Sequence, residues 1–398
     1  MQSKRHYLEF VVILGALTAF APLAIDMYLP ALPTIERALR GSTAQGQFTL
    51  ASFFVGFALG QTVLGPLADR FGRKRPLYAG LAFFVAASAV CALATSMQAL
   101  AAARFVQAVG ACAGAVVGRA MVRDLFEPDD TVRVFSTLML VMGVAPILAP
   151  LVGGYLLVGF GWRAIFWTLA LFGAACMLAA WRLPETRREA APHPLDLGRV
   201  FRDYRALLGH RRYMGYVLAG AFSAAGMFAY IAGSPYVFIE LYGVSPEHYG
   251  WLFGSNALGL VLASQVNGRL LHRRLGADRV LRIAGWAQAA AGLTLLAMAA
   301  SGRGGLMGIM LPLFVYITCG GFVMPNATAL AMAPFSTHAG TASALLGSVQ
   351  FGLAACAALA VGALHAASAI PMGAVVALCG VLGMAAHAWL VAVQRNGS

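Results

Sequence analysis

Residues Phe10–Pro30 read FVVILGALTAFAPLAIDMYLP, a run with one charge in it, Asp26. A membrane-spanning helix needs about 20 consecutive apolar residues, and this run supplies them. An ionised carboxylate at the centre of such a helix costs about 2.5–3.5 kcal/mol on insertion scales, so Asp26 calls for a reason. One reading is a proton or cation site facing a polar cavity. The other is an interfacial Asp at the helix end, with Tyr28 and Pro30 already outside the hydrocarbon.

The rest of the chain has the same character. Hydrophobic residues make up 60% of the 398, and charged residues 11%, against about 25% charged in ordinary soluble domains. This is the composition of a polytopic membrane protein, and it excludes soluble-enzyme classes. Apolar runs of spanning length fall at 9–30, 47–68, 76–95, 99–122, 132–158, 163–182, 213–239, 247–270, 280–300, 305–330, 339–362 and 370–392. Lys4 and Arg5 before the first run resemble a signal peptide, but the run is too long for one and many similar runs follow. A retained first span is therefore expected. The longest polar interruption, 183–212, is rich in Arg and Pro, and its second half suits an amphipathic surface helix. It divides the chain into an N-terminal six-helix bundle at 1–182, a central loop at 183–212, and a C-terminal six-helix bundle at 213–398.

The net charge of +13 is distributed unevenly. Lys4, Arg5, the Arg70/Arg73/Lys74/Arg75 cluster, Arg123, Arg133, the Arg-rich central loop, Arg269, Arg273, Arg274, Arg279, Arg282 and Arg395 share one side. The other side has Arg37, Arg40, Arg163 and Arg303. The positive-inside rule then places both termini and the central loop in the cytoplasm. The asymmetry also accounts for the basic balance, leaving nothing to support nucleic-acid binding. The six cysteines lie in apolar runs without a CxxC pair and read as small buried hydrophobes. The eight histidines are scattered over separate loops and spans, so no catalytic residue, metal site or cofactor is expected. There is no GxxxxGK[ST] loop for ATP, which leaves an ion gradient as the energy source.

A weak internal repeat relates the halves. GPLADRFGRKRP (65–76), between spans 2 and 3, has a counterpart in GRLLHRRLGADR (268–279), between spans 8 and 9. Two similar six-span halves are a transporter architecture with a substrate site near the midplane. In the first copy Gly65 and Gly72 permit close packing and a tight turn, and Asp69 can cap or pair with a neighbouring helix end. Arg70, Arg73 and their neighbours anchor the loop at the headgroups. Further motifs follow. Span 4 carries RFVQAVG (104–110), with Arg104 inside an apolar helix and Gln107 at i+3 on the same face; snorkelling to the helix end is the bland alternative. Span 5 carries GVAPILAPLVGG (143–154), in which Gly143, Gly153 and Gly154 allow close helix approach and Pro146 and Pro150 bend the helix.

Together these resemble the major facilitator superfamily (MFS), whose fold is all-α and integral to the membrane, with twelve transmembrane helices in two pseudo-symmetric six-helix bundles. The loop at 65–76 resembles the family's signature loop, RFVQAVG its proton-coupling Arg motif, and the span 5 segment the motif of its antiporters. Ala108 and Ala149 stand where the family has Gly, and His272 stands where the second loop copy needs its Asp. DMYLPA (26–31), RAMVRD (119–124), LPET (183–186), NATAL (326–330) and AGTASALLG (339–347) narrow the resemblance to drug:proton antiporters of the twelve-span class, the bicyclomycin/chloramphenicol resistance (Bcr/CflA) group.

The resemblance implies a multidrug efflux protein of the bacterial inner membrane, a monomer whose partners are small drug substrates, protons and the bilayer. Asp26 and Arg104 would couple to protons, Arg104 acting as partner to the acid, and burial and a nearby cation pull a carboxylate's protonation in opposite directions. Substrate would meet Asp26, Arg104, Gln107, Arg119, Leu138 and Met142 in the first half. In the second it would meet Met227, Phe228, Tyr230, Ile231, Gly347, Gln350 and Phe351. A latch would use Gly65, Asp69, Arg70, Gly72, Arg73 and Asp124. An exporter of an endogenous metabolite, or a solute importer of the same fold, stays open as the alternative.

Overall fold

The computed structural model describes residues 4–186, 197–335, 339–364 and 367–391, and no strand occurs among them. The helices fall where the apolar runs lie. The first six are α1 (Tyr7–Ala38), α2 (Thr43–Arg70), α3 (Lys74–Ala92), α4 (Met97–Leu125), α5 (Pro128–Phe160) and α6 (Trp162–Ala179). A shorter α7 (Leu197–Gly209) follows. Then come α8 (Arg211–Ser234, continued as a π-helix over Pro235–Leu241), α9 (Pro246–Val266), α10 (Ala277–Ser301), α11 (Gly305–Met332), α12 (Ala339–Ala363) and α13 (Ile370–Leu390).

Among the described residues, eleven helices are long and apolar enough to cross a membrane. The helix in the expected eighth place, α9, is not among them. Glu247, His248, Asn256 and Gln265 dilute its apolar character, and one of these has a partner inside the protein, since Asn256 donates to the Tyr230 hydroxyl at 3.1 Å.

Helix α1 is broken in two places for local reasons. Pro22 has no N–H for the Thr18 carbonyl, so the helix is interrupted at Ala19. Beyond Asp26 the chain tightens into a 3₁₀ turn at Leu29–Ala31.

The chain folds as two compact units. The first comprises Met1–Gly41, Ser52–Asp196 and Pro246–Gly250; the second comprises Ser42–Ala51, Leu197–Ser245 and Trp251–Ser398. The heads of α2 and α9 thus belong to units other than the rest of their helices. Within each unit the packing order repeats. In the first, α1 lies against α4, α5 and α6, and α3 lies along α4 and α6. In the second, α8 lies against α11, α12 and α13, and α10 lies along α11 and α13.

The polar segment between the units does form a helix in its second half. Leu207 of α7 is buried in a cluster with Tyr213, Val217, Ala342 and Val391, so the apolar side of α7 is seated on α8 and α12.

Candidate functional site

The first unit encloses two charges. Asp26 is 4% exposed and Arg104 fully buried. Arg104 does not snorkel: its Nη1 donates to the Ala24 carbonyl at 2.8 Å and to Gln107 Oε1 at 2.7 Å. Its guanidinium carbon lies 4.6 Å from the Tyr28 ring centroid and 4.5 Å from that of Phe53. Desolvated cation–π contacts of this kind are worth about 2 kcal/mol each. Gln107 in turn donates to Ser88 Oγ at 2.8 Å, and Ser88 donates to the Phe84 carbonyl at 2.6 Å. The buried cation is thus held by neutral acceptors and ring faces.

The expected pairing of Arg104 with Asp26 is absent. Arg104 reaches α1 at Ala24, and a residue two positions on in a helix points about 200° away. Tyr28, one turn on from Ala24, shares that contact through its ring. Among the described residues no hydrogen bond or ion pair engages its carboxylate. Gly15, earlier on α1, meets Val141 and Leu138 of α5.

Other first-unit candidates scatter. Leu138 is buried against α1, whereas Met142 is 41% exposed. Arg119 is exposed and folds back on its own helix, its Nε donating to the Ala115 carbonyl at 3.0 Å. On α5, the helix continues through Pro146 and Pro150. A Cβ on Gly153 would overlap the Met27 carbonyl oxygen, and one on Gly154 would come within 2.5 Å of the Pro246 carbonyl. These glycines are where other backbones make contact. Gly143 is half-buried.

The loop between α2 and α3 is a charge knot. Arg73 Nε donates to Asp124 Oδ2 at 2.9 Å and its Nη1 to Asp69 Oδ1 at 2.7 Å. Burial works against the Arg73 charge, but the hydrogen bonds and charges of Asp124 and Asp69 outweigh it and hold the guanidinium above its ordinary value. Glu185 accepts from the backbone N–H groups of Arg73 and Lys74 at 2.8 and 2.9 Å, capping the start of α3, and Thr186 donates to Asp124. Gly72 has φ +81°, the left-handed turn that glycine permits. Gly65 does not have the close-packing role expected of it: a Cβ there would meet nothing within 4 Å. Arg70 is exposed, over the Phe71 ring. All these partners belong to the first unit.

In the second unit, Phe228 and Phe351 meet with ring centroids 5.5 Å apart. Tyr230 is turned elsewhere, stacked on Phe253 at 5.3 Å and bonded to Asn256. Ile231 and Gly347 are buried, and Met227 is half-buried. Gln350 lines a cavity of about 30 Å³ with Tyr216, Thr328 and Leu346. The second loop copy reproduces the turn, Gly276 having φ +78°, but not the charges; the side chain of His272 lies outside the described residues. Here Asp278 Oδ1 accepts from the Tyr216 hydroxyl at 3.0 Å and contacts His387 Nε2 at 3.2 Å.

Sequence reasoning did not find Phe53 and Ser88 around Arg104, nor His387. Phe53 sits in an apolar run like many others. Tyr28 was legible as the neighbour of Asp26 in one short motif, and Glu185 and Thr186 as part of LPET.

Comparison with known proteins agrees with this architecture. Residues 14–359 match the family model described as Major Facilitator Superfamily. An uncharacterized MFS-type transporter, YdgK of Bacillus subtilis, is 37% identical, covering 94% of both chains. A bicyclomycin resistance protein homolog of Haemophilus influenzae is 33% identical over 100% of this chain and 99% of its own. Multidrug resistance protein MdtL of Escherichia coli is 31% identical over 86% of this chain and 85% of its own. Among solved structures, a peptide transporter aligns with TM-score 0.75 at 15% identity, covering 98% of this chain and 94% of that one. A D-xylose-proton symporter aligns with TM-score 0.71 at 16% identity, covering 96% and 97%. At these identities the structures speak for the fold alone, and the fold, the family model and the full-length relatives agree: the chain belongs to the major facilitator superfamily of membrane transporters.

Proposed function

We propose that this chain is a proton-coupled exporter of small amphipathic drugs, of the bicyclomycin and chloramphenicol kind, in a bacterial inner membrane. The observation that carries the reading is Asp26, a carboxylate 4% exposed inside a span and without a counter-ion among the described residues. It stands in a chain that aligns end to end with a protein named for bicyclomycin resistance. Burying an unpaired charge is costly, and such a group is neutralised by taking up a proton. Uptake on one side and release on the other would drive the two units through alternating access, with drug and proton competing for the cavity. Arg104 serves as the fixed positive end of that field. The charge distribution along the loops supports cytoplasmic termini. A single buried acid of this kind fits one proton per cycle.

The test is a panel of drug-susceptibility assays in cells expressing the intact chain or Asp26→Asn. The intact chain should raise tolerance to several chemically unrelated drugs, and Asp26→Asn should lose at least most of that gain at equal expression. Equal tolerance in the two strains would remove Asp26 from the mechanism. Equal export by vesicles with and without an imposed pH gradient would remove proton coupling.

A further inference from the structure

The two matched loops are tied down by opposite chemistry. In the first unit a permanent cation, Arg73, is clasped by two acids. In the second an acid, Asp278, is met by donors from other helices, among them Tyr216 of α8 and His387 of α13. Both contact the same oxygen, Oδ1, so three helices converge on one atom. His387 has 6% of its side chain exposed and Asp278 has 24%. Beside them is a cavity of about 60 Å³ lined by Leu281, Arg282, Gln288 and Met384, among others, through which water can reach the imidazole.

From this geometry we infer that His387, Asp278 and Tyr216 form a proton-binding site in the second unit, distinct from Asp26, which tightens when it is protonated. With a neutral imidazole, Nε2–H donates to Asp278 and the contact is a hydrogen bond. The added proton goes onto Nδ1, and the contact becomes an ion pair between imidazolium and carboxylate. Histidine is the side chain that makes this change between about pH 5 and 8. The surrounding charges do not supply the same partner. Arg212 of α8 lies over the Tyr216 ring and hydrogen-bonds its side chain, and Arg211 lies over the Trp389 ring. Arg282 of α10 lines the cavity, and α12 carries no charged residue. Asp278 is therefore the acid that faces the imidazole, amid cations. With the cytoplasmic orientation proposed above, this end of the unit would read cytoplasmic pH. The site itself depends on neither that orientation nor drug export.

The experiment is thermal unfolding of the purified full-length protein in detergent at pH about 5 and about 8. The wild type, His387→Gln, Asp278→Asn and Tyr216→Phe are compared. An imidazolium–carboxylate pair holds more strongly than a neutral hydrogen bond, so the pair stabilises more at the lower pH. The midpoint gap between wild type and His387→Gln should therefore be about 2–4 °C wider at pH 5 than at pH 8. Asp278→Asn should show the same widening. Tyr216→Phe keeps the His–Asp pair and should follow the wild-type pH response at a lower midpoint. Parallel profiles for wild type, His387→Gln and Asp278→Asn would overturn the assignment, as would a Tyr216→Phe profile that loses the pH response. If His387→Gln does not fold, Asp278→Asn against Tyr216→Phe decides the matter alone.

Discussion

The Arg73 knot allows a graded prediction in which distance and burial point in opposite directions. Arg73 is 2.7 Å from Asp69 and 2.9 Å from Asp124, so distance alone ranks Asp69 as the stronger partner. Side-chain exposure is 53% for Asp69 and 27% for Asp124, with Arg73 at 8%. An exposed pair is screened by water and contributes about 0.2–1 kcal/mol. A partly buried charge-assisted hydrogen bond contributes about 1.5–3 kcal/mol. Asp124 also receives the Thr186 hydroxyl at 2.9 Å, which fixes its carboxylate for Arg73. Double-mutant cycles with Arg73→Gln against Asp124→Asn and against Asp69→Asn isolate the two couplings. The readout is the unfolding midpoint of the purified protein, where 1 kcal/mol corresponds to about 2–4 °C for a unit of this size. The Arg73–Asp124 coupling should exceed the Arg73–Asp69 coupling by about 1 kcal/mol or more. Equal couplings, or a larger one for Asp69, would refute the ranking by burial.

Gly153→Ala should destabilise the first unit by about 1–3 kcal/mol, because its Cβ would strike the Met27 carbonyl, a backbone atom that cannot swing aside. Gly159→Ala on the same helix, where nothing lies within 4 Å, is the control and should change the unfolding midpoint little. Gln107→Leu should cost about 1.5–3 kcal/mol by removing an acceptor from the buried Arg104. Ser88→Ala breaks a bond between neutral groups and should cost about 0.5–1.5 kcal/mol, so the reverse order of midpoints would contradict this account of the network.

What could be read from the sequence follows from what each signal encodes. Helix length and position are local properties of apolar runs, and the helices lie close to them. Helix α9 tests this: its polar residues lower its apolarity, yet the chain is helical over the expected stretch, with Asn256 donating to Tyr230 inside the protein. Turn geometry is also local, and Gly72 and Gly276 both adopt positive φ at matched points of the two loops. Which helices meet is not local. Asp278 and His387 are 109 residues apart, and no periodicity in either helix announces the other. For the same reason Arg104 reads as the partner of the nearest buried acid. Which face of α1 it reaches depends on helix rotation, which residue type does not encode. Gly65 failed in another way: a glycine inside a motif says that a close approach is allowed there, not that one occurs.

On the function proposed above, the absence of an Asp26–Arg104 ion pair changes where coupling would operate. Had the two been paired, a proton would have been exchanged for an arginine, and α1 and α4 would have been the moving parts. Instead the Arg104 Nη1 is bound by the Ala24 carbonyl and Gln107, and two rings face the guanidinium. The residue after Asp26, Met27, has its carbonyl against Gly153 of α5. On the function proposed above, a change of charge at Asp26 would act one residue from the α1–α5 contact, where the backbones approach closely at Gly153. On that proposal the span 5 motif and the span 1 acid would work together.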